Sequence, residues 1–156
     1  MSGTSLPDNE RSSLDGLLEA LITRSRGAIV RVLLATGDGL KLASAGATAQ
    51  EADTMAALMS GLYSLSREAF RTAGPGGIRQ ILAEHDRGTL MVMSAGTAAA
   101  NAAPNVLGTS LGVLTTPAAD AGAVAYEMTA LIRSLDEHLV TQARTEAASA
   151  QFRQEM

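Results

Sequence analysis

The chain has 156 residues, room for one domain with a real core and little more. Hydrophobic residues make up 46% of it and aromatics only 3%, so its core must be built from Leu, Ile, Val, Met and Ala. A formal charge of -4 argues against a nucleic-acid partner, and the absence of cysteine excludes disulfide frameworks, thiolate zinc sites and thiol nucleophiles.

Residues 1–11 are polar and include Pro7. They lack the charged-then-apolar layout of a signal peptide and read as a disordered tail on a cytoplasmic protein. Ser12 or Ser13 can cap a first helix running to about Arg24, with Leu14, Leu17, Leu18, Leu21 and Ile22 at spacings of three and four. AIVRVLLA (28–35) is short and rich in β-branched and aliphatic residues, which favours a strand. Residues 40–44 read as its antiparallel partner. Thr48 and Glu51 form a capping-box signature for a long helix to Arg71 or Thr72, which GPGG (74–77) stops. IRQILAE (78–84), a turn at 85–88 and TLMVMSA (89–95) form a second hairpin, and SLGVLT (110–115) is a fifth strand. Pro117 and Asp120 introduce a last helix striped by Val124, Met128, Leu131, Leu135 and Leu139.

The predicted order α-β-β-α-β-β-β-α, with hairpins joining strands, gives an α+β domain over residues 12–144 and a frayed tail over 145–156. Strand 89–95 is apolar on both alternating faces, so helices are expected on both sides of an antiparallel sheet. Residues 88–119 carry no charge, but Asn101, Pro104, Asn105 and Gly108 interrupt them and no membrane-spanning block exists.

Several stretches mimic chemical sites. Gly37-Asp38-Gly39 could cradle phosphate, but the chain continues through Lys41 as a strand instead of opening a helix, so a hairpin turn is the better reading. GTSLG (108–112) fits a nucleophile elbow, with Asp120 and His138 following in hydrolase order. Ser110 begins a strand, however, and no helix follows it directly, which leaves a small esterase as a remote alternative. His85 and His138 lie at no metal-binding spacing, and Glu51/Asp53 and Asp136/Glu137 read as solvated helix positions. No catalytic residue, metal or cofactor is expected.

The middle helix is less easily dismissed. Met55, Leu58, Leu62, Leu65 and Ala69 form one stripe, and Ala52, Ala56, Met59, Tyr63 and Phe70 form a second beside it. Ala57, Ser60, Gly61 and Ser64 lie between them. One stripe suffices to cover a sheet, so the second points to another subunit or a partner.

Taken together, ATGDGLKLAS, MAALMSGLYSLSREAF, GPGGIRQILAE and ADAGAVAYEMTALIRSLDEHL make the chain from Leu14 to Leu139 resemble the roadblock/LC7 family. It resembles in particular the actinobacterial members of conservon operons, which also encode a sensor kinase-like membrane protein, a small helical partner and a Ras-like GTPase. The resemblance implies a five-stranded antiparallel sheet with the middle helix on one face and the terminal helices on the other. It also implies a homodimer through the middle helix and third strand, here Ala52, Met55, Ala56, Met59, Ser60, Ile78, Gln80 and Leu82.

By the same resemblance the chain is a non-enzymatic platform that binds a small Ras-like GTPase and modulates its nucleotide state. A gliding-motility relative accelerates hydrolysis by ordering switch loops without an arginine finger. Met59, Tyr63, Ser66, Arg67 and Phe70 are the expected partner contacts. The alternative is a scaffold that organises a membrane-proximal complex without changing turnover, the protein being recruited to the membrane by its partners. The 96–109 connection is longer than the family pattern leads one to expect.

Overall fold

A computed structural model of the chain describes residues 8–95 and 108–155. Its elements are α1 (Asp8–Arg24), β1 (Ile29–Thr36), β2 (Lys41–Ala45), α2 (Ala49–Ala69), β3 (Gln80–His85), β4 (Gly88–Ser94), β5 (Thr109–Thr115) and α3 (Ala121–Gln154). The order is the one predicted.

Two boundaries differ from expectation by more than three residues. The first helix begins at Asp8, so Ser12 and Ser13 lie inside it, and the Ser12 hydroxyl donates to Asp8 O (2.9 Å) instead of capping. The acidic start Asp8-Asn9-Glu10 suits a helix N-terminus better than the serines do. The last helix continues past Arg144 to Gln154, because the distal segment is rich in Ala, Gln and Arg and no Gly or Pro follows Gly122. The long connection expected at 96–109 falls mostly outside the described residues.

The five strands form one antiparallel sheet in the order β2-β1-β5-β4-β3. The two hairpins do not pair with each other, and β5 lies between them, pairing with β1 over Ile29–Thr36 and with β4 over Leu90–Ser94. As the central strand it is buried almost throughout. On one face Val32, Leu34, Met91, Leu111 and Val113 pack against α1 and α3 through Leu14, Leu18, Leu21, Met128, Leu131 and Leu135. On the other face Leu33, Ala35 and Val92 lie under α2. This is the three-layer arrangement expected.

The two sheet edges are treated differently. At β2 the Ser44 N–H donates to Asp15 Oδ1 of α1 (3.0 Å), so a side chain satisfies a backbone group that faces outward. At β3 nearly every residue is exposed and no described strand lies beyond it. Because Arg79 O accepts from Ser94 N–H toward β4 (3.0 Å), the alternation of an antiparallel pair turns the backbone groups of Gln80, Leu82 and Glu84 outward.

On α3, Asp136 follows the buried Leu135, and its Oδ1 is buried with no hydrogen-bond partner among the described residues. Desolvation raises its pKa above the ordinary carboxylate value. A carboxyl whose folded pKa is raised costs stability once ionised, so the penalty develops as pH rises through the raised value and is absent below the unfolded value. Asp136→Asn is therefore expected to melt at or above the parent temperature at neutral pH, the gain vanishing in acid. A variant less stable than the parent at neutral pH would contradict this.

Candidate functional site

The chemical look-alikes resolve into structural roles. In the first hairpin turn Thr36 N–H donates to Leu40 O (2.9 Å) and Leu40 N–H to the Thr36 hydroxyl (3.1 Å), and Thr36 also bonds Asp38. Gly39 takes a φ of 90°, which only glycine adopts cheaply. The turn is further tied to α2, since the Ser60 hydroxyl donates to Gly37 O (3.0 Å).

Ser110 is buried inside β5 with no helix beginning after it, and Asp120 caps α3, accepting from Gly122 N–H (2.9 Å). The His138 side chain lies outside the described residues. His85 Nδ1 accepts from Arg87 N–H (3.0 Å) within the β3–β4 turn. Glu51 completes the capping box with Thr48 and pairs with Arg31 (3.0 Å), and Asp53 pairs with Lys41 (3.9 Å). Among the described residues no cluster of ligating side chains could hold a metal. What remains is a surface.

That surface is on α2, and the sheet takes the first half of the second stripe, Ala52 to Met59. Ala52, Ala56 and Met59, expected at a subunit or partner contact, are buried against the sheet. The Met59 side chain fills the space above Gly112, where an added Cβ would stand 2.4 Å from Met59 Sδ. Small alanines let the helix axis come close, and a glycine in the strand beneath leaves room for the long thioether. Met59 therefore has no surface to offer a partner.

The outward stripe is the other one. Leu58 is 59% exposed and Leu65 72%, with Met55 and Leu62 half-buried between them and the core. From Thr54 to Ser66 the helix carries no charge, and Gly61 faces open space in its middle. A glycine inside an exposed helix costs about 1 kcal/mol against alanine, and nothing among the described residues packs on it to offset that. These were the signals in the sequence that could have turned the helix the right way.

The other expected residues divide between two places. Ile78 is half-buried and its carbonyl accepts from the Tyr63 hydroxyl (2.8 Å), while Gln80 and Leu82 are exposed along the β3 edge. Leu82 pairs with Met91 and so stands on the α1 and α3 side of the sheet. Ser66 is half-buried, and Arg67 and Phe70 are exposed at the end of α2.

Residues 14–100 match the Roadblock/LC7 domain, more than half of the chain. A Roadblock/LC7 domain from Streptomyces avermitilis is 37% identical over 81% of this chain and 97% of its own, with a TM-score of 0.70. The chain belongs to the Roadblock/LC7 family. A second Streptomyces avermitilis roadblock domain is 31% identical over 78% of this chain and 96% of its own, with a TM-score of 0.60. MglB of Myxococcus xanthus shares the fold, with a TM-score of 0.71 at 15% identity over 87% of this chain and 94% of its own. No curated protein matches. The roadblock match takes in α2, β3 and β4, so the exposed leucines and the open edge both lie inside it. No helix among the described residues is long and apolar enough to cross a membrane.

Proposed function

We propose that this roadblock domain is a non-enzymatic regulatory platform. It pairs with a second copy through the outer face of α2 and the β3 edge, and the pair binds a small Ras-like GTPase and biases its nucleotide state. The observation that carries the reading is the uncharged outward stripe of α2, Leu58 and Leu65 with Met55 and Leu62, lying on the same domain as an unprotected sheet edge. A solvent-facing helix surface of this kind needs a cover, and pairing two β3 strands satisfies the outward backbone groups of Gln80, Leu82 and Glu84. An MglB is known in a tetrameric arrangement, which is compatible with assembly beyond a pair.

Regulation follows from differential binding. A partner shifts a GTPase only to the extent that it prefers one arrangement of the switch loops, and no side chain need be donated to the phosphate. The exposed Arg67 and Phe70, with Ser66 beside them, are the contacts retained from those expected for the GTPase. A conservon setting, with a sensor kinase-like membrane protein nearby, would recruit the platform to the cytoplasmic side of a membrane.

The test mixes the protein with the Ras-like GTPase encoded nearest to its gene and measures complex formation in both nucleotide states, then single-turnover GTP hydrolysis. The expected result is tighter binding to one state and changed turnover. Equal binding with unchanged turnover would leave a scaffold, and no binding in either state would defeat the partner claim.

A further inference from the structure

No residue of α2 beyond Tyr63 is buried, and the chain returns from that end through Gly74-Pro75-Gly76-Gly77 to β3. Between the helix end and the returning chain lies a groove of about 640 Å³, bordered by Arg67, Arg71 and Arg79. Arg71 pairs with Glu68 (3.0 Å). Arg67 and Arg79 have no carboxylate partner among the described residues. Three arginines along one groove stand out on a chain of net charge -4, and no acidic residue lines the groove with them.

Two further features fit an extended peptide. Phe70 is 62% exposed on the same border and offers an apolar contact. Gly77 has no positive φ, and nothing stands within 4 Å of where its Cβ would be, so neither backbone conformation nor packing calls for glycine there. Glycine at such a place admits the close approach of another backbone.

We propose that this groove receives an acidic, extended peptide segment of a partner protein, its carboxylates on Arg67 and Arg79 and an apolar side chain on Phe70. Arginine suits the role because its planar fork meets a carboxylate in two parallel hydrogen bonds. An anionic membrane is the poorer match, since a concave site with three arginines and one phenylalanine falls short of the paired signals that stable membrane attachment takes. The proposal rests on reading the domain as a partner-binding module, and its test contains no GTPase, so the two can fail separately.

The probe is a fluorescein-labelled hexapeptide Gly-Glu-Leu-Glu-Glu-Gly, titrated with the full chain at low salt and followed by anisotropy, beside a counterpart with Gln for every Glu. Saturable binding of the acidic peptide alone is expected, weakening with salt and falling about tenfold or more in Arg67→Gln/Arg79→Gln. Both arginines are exposed, so the double variant should fold, and circular dichroism checks it. Failure of the acidic peptide to bind, equal binding of the Gln peptide, or undiminished binding by the double variant would each overturn the proposal. So would sedimentation with phosphatidylserine vesicles in place of peptide binding. Altered self-association of the double variant without peptide binding would assign the groove to a second copy.

Discussion

Leu58→Glu combined with Leu65→Glu is expected to give a monomer at micromolar concentrations at which the parent is expected to sediment as a dimer. Both side chains are mostly exposed within one chain, so the fold should keep its far-ultraviolet spectrum and melt cooperatively. Truncating a residue at the centre of an interface costs about 2 kcal/mol, roughly thirtyfold in Kd, and a charge placed there costs more. Measured by analytical ultracentrifugation, the pair of changes should therefore weaken association by about three orders of magnitude. A variant that still sediments as the parent does would remove α2 from the interface. A parent that is itself monomeric would end the dimer reading.

The second large effect lies beneath the same helix. Gly112→Val places a branched side chain where even a Cβ would stand 2.4 Å from Met59 Sδ and 2.8 Å from its Cε. Overpacking of this kind costs about 1–3 kcal/mol, seen as a lower urea midpoint at unchanged slope. Met59→Ala alone should cost about 2–5 kcal/mol by opening a cavity. Combined, the two are expected to be less damaging than their sum, because the valine occupies space that the methionine vacates. Strict additivity would mean that α2 does not bear on Gly112 through Met59. The cycle is best run on the Leu58→Glu/Leu65→Glu background, where unfolding is expected not to depend on protein concentration.

The same pair of sites shows how far the sequence could be read. The helix, its Thr48 and Glu51 cap and its two apolar stripes were legible, because capping and helical periodicity are local properties. Assigning Ala52, Ala56 and Met59 to the outside followed from giving the sheet the stripe richer in leucine. The sheet beneath reverses that preference. Arg67 and Phe70 are exposed, as a partner contact requires, whereas the placement of Arg71 and Arg79 along the same groove was not legible because it depends on how the chain returns through residues 74–77.

By itself the sequence determined the order of the elements among the described residues, the hairpin turn at Thr36–Gly39 and the antiparallel sheet between layers of helices. Each of these rests on short-range physics: alternation along strands, spacing along helices, and the backbone preferences of glycine, aspartate and threonine. Only the tertiary structure decided that β5 lies between the two hairpins, that Asp15 closes one sheet edge while β3 stays open, and which side of α2 meets the sheet. Those outcomes depend on residues far apart in the chain. Gly112 makes room for Met59, Ala52 and Ala56 let the helix settle onto the sheet, and Leu58 and Leu65 are thereby left facing outward.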